Sequence, residues 1–209
     1  FNKNFVFVLV DNGSTDATQK VLKSILIPKC VRLIKKEKNT GYGGGIKFGL
    51  QHVNTKFSGW MHADLQQNIS VLSEANILIE EYIHSKSGGL NAFKGLRSKR
   101  SVIENTFTIG VSLVASFLFL KRCWDIAGQP NIFRTSDLIF LDKSPDDHNF
   151  EFYVYLRFLV LGGRFHRFDA PFFKRRFGSS SWDQGLLSKL NHAKNIFKYL
   201  VYLRLKIKV

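Results

Sequence analysis

The sequence predicts an α/β protein built on a mostly parallel, doubly wound sheet flanked by helices, and three observations predict it. An apolar run, Phe5-Val6-Phe7-Val8-Leu9-Val10, breaks directly into the polar turn Asp11-Asn12-Gly13-Ser14-Thr15-Asp16. Such a run reads as a strand covered on both faces. Strand-like and helix-like segments then alternate three times, the pattern of a crossover sheet. Two of the strand-like segments end in acids, Asp11 and Asp64, with a glycine-rich turn between them in sequence, and ligands of open α/β sheets gather beyond such strand tips.

Taken in order, the first strand is followed by a helix carrying Val21, Leu22, Ile25 and Leu26, capped by Ser14 or Thr15 and stopped at Pro28. Gly13 permits the positive φ of the turn. Val31 to Ile34 forms the second strand, and Asn39-Thr40-Gly41-Tyr42-Gly43-Gly44-Gly45 turns into a helix ending near Val53. A third strand, Ser58 to His62, runs into Ala63-Asp64-Leu65-Gln66-Gln67. Ser70 caps a helix with Val71, Ala75, Leu78 and Tyr82 on one face. Gly89 to Phe93 is another strand, followed by the basic stretch Lys94-Gly95-Leu96-Arg97-Ser98-Lys99-Arg100 and a long helix. Trp124 to Pro130 is a loop, Ile132 to Arg134 a strand, 149–161 a helix and 164–168 a last strand.

The 209 residues, 44% of them hydrophobic, suit one core; we expect a domain over 1–185 and a basic, membrane-proximal helical tail over 186–209. From Ser188 onward that tail has six Lys or Arg and no acid. The formal charge of +15 draws the chain to polyanions: nucleic acid, anionic headgroups or diphosphates. An aromatic and basic motif of the usual RNA modules is missing, so nucleic acid is not expected as a partner. Cys30 and Cys123 lack the spacing of a zinc site or a disulfide framework. The apolar run 107–120 is interrupted by Gly110, Ser112 and Ser116 and is too short to span a bilayer, so it reads as a buried or interfacial helix.

If the sheet is parallel, Asp11 and Asp64 stand on neighbouring tips and outline a nucleotide-diphosphate pocket. A hard divalent cation bridging two phosphates needs only one or two protein oxygens, which Asp64 and the amide oxygen of Gln66 can supply. The 41–45 turn either lets backbone approach phosphate or is a simple tight turn; it lacks the ending of a P-loop and the spacing of a dinucleotide fingerprint.

Together these segments resemble the family 2 glycosyltransferases of GT-A type. Val10-Asp11-Asn12-Gly13-Ser14-Thr15-Asp16-Ala17-Thr18 looks like the family's V-D-D-G-S-T-D-x-T, Asn39-x-Gly41 like its N-x-G turn, and Ala63-Asp64-Leu65-Gln66 like the end of its D-A-D-L-Q. Gly95-x-Arg97, Asp125-x-x-Gly128 with Phe133 beyond, and Arg175-x-x-Gly178-x-Ser180-x-Trp182 are similar to segments of the polyprenyl-phosphate sugar transferases and related envelope-polysaccharide enzymes. The resemblance implies inverting sugar transfer from a nucleotide donor. It implies a donor site of Asp11, Gly13, Ser14, Asn39, Gly41, Asp64 and Arg97, with magnesium or manganese near Asp64 and Gln66. Two departures stand out. His62 occupies the place of the metal motif's first Asp, where it hydrogen-bonds, ligates softly or ends a strand. The family's first strand and its P-x-x-N-E loop are expected before Phe1.

By the same resemblance Arg175, then Arg97, would stabilise the charge on a leaving diphosphate; the other reading of Arg97, Lys99 and Arg100 is a solvated basic loop. A sugar hydroxyl acceptor needs a base, whereas a lipid phosphate is already ionised. Asp125 and Glu151 are the available carboxylates; each also reads as a cap or as an acid at a helix start. The expected function is sugar transfer to polyprenyl phosphate or a lipid-linked glycan in envelope polysaccharide synthesis. The protein would sit peripherally at the inner face of the cytoplasmic membrane, held to anionic lipid by its tail and the 107–120 helix. A transferase fold that binds nucleotide sugar or acidic glycan without turnover is the alternative.

Overall fold

The first strand, β1 (Phe7–Asn12), pairs in parallel with β2 (Val31–Lys36), Phe7 opposite Val31 and Asn12 opposite Lys36. The computed structural model describes residues 5–86, 88–175 and 186–207. Between the two strands lies α1 (Thr18–Ser24), and after them come α2 (Gly41–Leu50), β3 (Phe57–Trp60), α3 (Val71–Ser85), β4 (Asn91–Ser98) and α4 (Val102–Phe119). The chain continues through β5 (Asn131–Arg134), a 3-10 stretch (Thr135–Lys143), α5 (Phe150–Val160), β6 (Arg164–Pro171) and α6 (Leu186–Lys206).

The architecture is α/β, as expected, but the described sheet is mixed rather than mostly parallel. One ladder is β1-β2; the other is β3-β5-β4-β6, in which β5 runs antiparallel to both neighbours while β4 and β6 are parallel. Short β5 enters from the loop after α4 and slots between β3 and β4, so no crossover constrains it to run parallel. β1 is also less covered than a strand buried on both faces: along it only Asp11 is buried. It pairs with one neighbour among the described residues, so its outer edge and part of its faces stay accessible.

Alternation along β4 and β5 divides the core. Phe93 and Ile132 join Val71, Ala75, Ile79 and Tyr82 of α3 on one face; Ala92 and Phe133 join Phe150, Val154 and Phe158 of α5 on the other, the two-residue period of a strand. Phe93, Phe133, Phe150 and Phe158 are fully buried, each contributing about 1.5–3 kcal/mol relative to an exposed ring. A third cluster joins Ala115 and Phe119 of α4, Leu156 of α5, and Ile196, Leu200 and Leu203 of α6. Residues of the basic tail therefore pack into a shared core.

Several local expectations are corrected. α1 starts from Ala17 without a side-chain cap and buries nothing; Ile25 and Leu26, expected within it, lie beyond its end, Leu26 97% exposed. The glycines of 41–45 form the first turn of α2 instead of a loop. A Cβ at Gly43 would stand 2.4 Å from the Pro145 carbonyl oxygen and 2.8 Å from Phe150 Cβ, so bare backbone is what lets α2 approach the chain entering α5. The basic stretch after Phe93 is largely strand, and its Lys94 is 1% exposed. α4 begins at Val102 under a reciprocal Ser101–Glu104 capping box. By length and composition it is apolar enough to cross a membrane, longer than the 107–120 run suggested.

Candidate functional site

Three groups of polar residues lie at or beyond the ends of β1, β3 and β4. At the tip of β1, Asp11 Oδ1 accepts the Ser14 N–H at 2.9 Å, and these hydrogen bonds lower the Asp11 pKa. Gly13 (φ +74) closes the turn, where a Cβ would meet Asn39 N at 2.4 Å. Asn12 donates to the Gly41 carbonyl at 2.8 Å, and Asn39 accepts from Gly41 N at 2.8 Å. The structure thus brings Asp11, Gly13, Ser14, Asn39 and Gly41 into one junction. Asp11 is 5% exposed, and its Oδ2 is buried with no hydrogen-bond partner among the described residues.

Beyond β3, Leu65 takes a left-handed conformation (φ 61), uncommon for a residue with a Cβ, and turns the 64–67 loop back on itself. Asp64 Oδ1 accepts from Gln66 N at 3.2 Å. Asp64 Oδ2 pairs with the Arg175 guanidinium at 2.9 Å. Gln66 and Phe173 exchange two hydrogen bonds, Phe173 N to Gln66 O at 2.7 Å and Gln66 Nε2 to Phe173 O at 3.1 Å. The segment after β6 is therefore strapped onto this loop. Its other flank is cationic: Arg97 and Arg100 lie over the Phe172 ring and Lys99 over Phe173. Gly178, Ser180 and Trp182 of the expected motif lie outside the described residues.

The acids read as possible bases are both held by protein donors. Asp125, 2% exposed, receives the Arg97 guanidinium on Oδ1 and the Arg97 N–H on Oδ2. Burial raises its pKa, but the Arg97 charge and hydrogen bonds outweigh that and leave it lowered. Glu151, 6% exposed, accepts at Oε1 from Tyr42 Oη (2.6 Å), Trp60 Nε1 (2.8 Å) and Gln129 Nε2 (2.9 Å), and at Oε2 from Asn131 Nδ2 (3.2 Å). It opens α5, yet it serves as a hub joining α2, β3 and β5.

Sequence reasoning missed the residues that tie these groups together. Gln129, 2% exposed, accepts the His62 N–H at 2.8 Å on its side-chain oxygen, and its backbone carbonyl accepts Gln67 Nε2 at 2.7 Å. Lys94 Nζ donates to Gly128 O and Asn131 Oδ1, so it touches the turn after Asp125 and the amide that holds Glu151; burial lowers its pKa to about 7. The only sequence signal was indirect: Gln129 and Asn131 flank the one proline of a loop already chosen for Asp125. His62 stacks on Tyr42 at 5.2 Å, with His148 against the same ring at 5.3 Å. Partial desolvation beside these rings lowers the His62 pKa, and among the described residues no contact places its ring on Asp64. A hollow of about 290 Å³ lined by Lys36, Lys47, Phe48 and Asp146 lies along α2 and includes none of the expected site residues.

Among the described residues no group of three His, Cys, Asp or Glu side chains is placed to hold a metal. Asp64, with its carboxylate 22% exposed and already facing a cation, fits a divalent ion that brings its remaining oxygens from a diphosphate and water.

The family model "Glycosyl transferase family 2" matches residues 1–81. No curated protein matches the sequence. Among solved structures, S. aureus TarS 1–349 in complex with UDP-GlcNAc is similar at 19% identity and a TM-score of 0.53, over 94% of this chain and 57% of that one. A second structure of S. aureus TarS 1–349 is similar at 17% identity and a TM-score of 0.50, over 81% of this chain and 51% of that one. The chain thus spans just over half the length of the TarS fragment. Residues 1–81 are thus similar to glycosyl transferase family 2, and the chain as a whole shares the α/β fold of the TarS fragment.

Proposed function

We propose that the protein is an inverting glycosyltransferase that moves a sugar from a nucleotide-diphosphate donor to a polyprenyl phosphate or lipid-linked glycan in cell-envelope polysaccharide synthesis. The observation that carries this reading is the cationic belt of Arg97, Lys99, Arg100 and Arg175, laced through Phe172 and Phe173 onto the Asp64–Gln66 loop. Fixed guanidinium and ammonium groups suit the charge that develops on a leaving diphosphate. The family match over the β1 junction and the UDP-GlcNAc bound to TarS support a nucleotide-sugar donor.

The buried Asp11 Oδ2 would take a donor hydrogen from the nucleoside, the partner it lacks within the described chain. Asp64, with Gln66 beside it, would hold magnesium or manganese. When bound, that cation neutralises the leaving diphosphate. In the transfer step the bond from the sugar's anomeric carbon to the diphosphate oxygen breaks and the leaving oxygen keeps its electrons. The acceptor oxygen forms its bond to that carbon from the opposite face. Asp125 and Glu151 are both held by protein donors on each oxygen, an arrangement that suits shaping a site better than lifting a proton. This favours the phosphate acceptor, which arrives without a proton to remove.

Charge and α4 support a location at the membrane. Val102, Ile109, Leu113 and Phe117 form an exposed apolar stripe along α4, and Lys121 and Arg122 follow its end. We place this face and the basic α6 at the inner surface of the cytoplasmic membrane, against anionic lipid. Vesicles of phosphatidylglycerol at low salt should carry the protein in flotation; a protein left behind refutes the membrane placement. For the reaction, incubation with polyprenyl phosphate, magnesium and a panel of nucleotide sugars including UDP-GlcNAc should yield a glycolipid detectable by mass spectrometry. Asp64→Asn should abolish it with the fold intact. Donor binding without hydrolysis or transfer would favour the second reading, a binding module, which His62 in the metal motif motivates.

A further inference from the structure

We propose that Arg175 is an exchangeable counter-ion: it occupies Asp64 in the free protein, yields that carboxylate to an arriving divalent cation, and so becomes available to the donor's diphosphate. This rests on the donor-site reading above for its last clause only.

The geometry separates what fixes the loop from what neutralises it. The 64–66 turn is held by the left-handed Leu65, by Gln66 N on Asp64 Oδ1, and by the paired hydrogen bonds between Gln66 and Phe173. None of these uses the Arg175 guanidinium. Its one ion pair among the described residues, NH2 to Asp64 Oδ2 at 2.9 Å, joins side chains that are 34% and 22% exposed. An ion pair so open to water is weak enough to exchange. Gln66 N occupies Oδ1, so Oδ2 is the oxygen for which a divalent cation and the guanidinium compete. Two cations cannot share that oxygen, whereas an arginine released beside a bound diphosphate finds a better planar partner. Lys99 and Arg100, over Phe173 and Phe172, raise the cost of a further free cation there in the empty site, which favours Arg175 resting on the acid.

The consequence runs against intuition: without nucleotide, removing an arginine from the site should tighten metal binding. Mn2+ binding to the full chain, followed by the electron paramagnetic resonance signal of the free ion, tests it. Arg175→Met should bind Mn2+ roughly two- to fivefold tighter than wild type, the range of a partly exposed ion pair. Lys174→Met removes the same charge one residue away and should change little. With UDP or GDP present the order should reverse, Arg175→Met binding the nucleotide more weakly. Equal or weaker Mn2+ binding by Arg175→Met, or an equal gain in Lys174→Met, overturns the exchange. Mn2+ binding that survives Asp64→Asn also overturns it, by placing the ion elsewhere. If nucleotide binds without metal and Arg175→Met weakens it, the exchange is wrong and the donor site stands. If neither metal nor nucleotide binds, the donor-site reading falls as well.

Discussion

The Gln129 side-chain amide donates to Glu151 Oε1 at 2.9 Å, between two residues that are 2% and 6% exposed. This contact joins the loop that carries Asp125 to the helix that closes the other wall of the site. Gln129 also holds the His62 N–H and the Gln67 side chain.

Replacing Gln129 with an apolar residue of similar size, Gln129→Met, should therefore destabilise the protein by about 1–3 kcal/mol, because the His62 N–H and Glu151 Oε1 lose the partners its side-chain amide supplies, while Gln67 keeps the backbone carbonyl. Urea denaturation reads this directly. A change below about 0.5 kcal/mol, the level of an ordinary surface substitution, would show that Gln129 is not the tie described.

Lys94 gives a pH signature with a definite sign. Burial holds its amine at about 7 in the folded protein against 10.5 ordinarily. Between those values the unfolded chain binds more protons, so this group makes stability rise as pH rises through that window. Lys94→Met should flatten the rise: the stability difference between wild type and variant should be larger at about pH 9 than at about pH 6. A difference independent of pH would mean that the amine stays charged.

Two glycines on helices should respond in opposite directions. Gly43→Ala puts a Cβ 2.4 Å from the Pro145 carbonyl oxygen, whereas Gly110 in α4 faces open space. Gly43→Ala should cost about 1–3 kcal/mol through overpacking, and Gly110→Ala should gain about 0.5–1 kcal/mol from helix propensity. Calorimetric melting of the two variants checks both.

The elements were largely legible because their signals are local: the apolar run of β1, the single-faced pattern of α3, and the helix over 149–161 each reappear within a few residues. The pairing of β5 was not, since nothing in Asn131–Arg134 states which strands will flank it. The glycines of α2 misled because a run read as a turn was instead answering a contact with Pro145, a hundred residues away. Within the site, Asp11 with Ser14, Asn39 with Gly41, and Asp64 with Arg175 emerged as neighbours. Lys94 was hidden inside a basic stretch whose other members are less buried, and Gln129 has no periodicity to betray it. Both are defined by partners distant in sequence, which a spacing argument does not reach.

The central claim is that a nucleotide-sugar donor seats on Asp11, and titration calorimetry of UDP and GDP with magnesium tests it most directly. Asp11→Asn keeps an oxygen for the Ser14 N–H while removing the carboxylate charge, so the fold should persist. The account predicts that wild type binds one of these diphosphates and that Asp11→Asn weakens it about tenfold or more, roughly 1.4 kcal/mol. Binding unchanged in Asp11→Asn, or no binding of either nucleotide by the wild type, would contradict it.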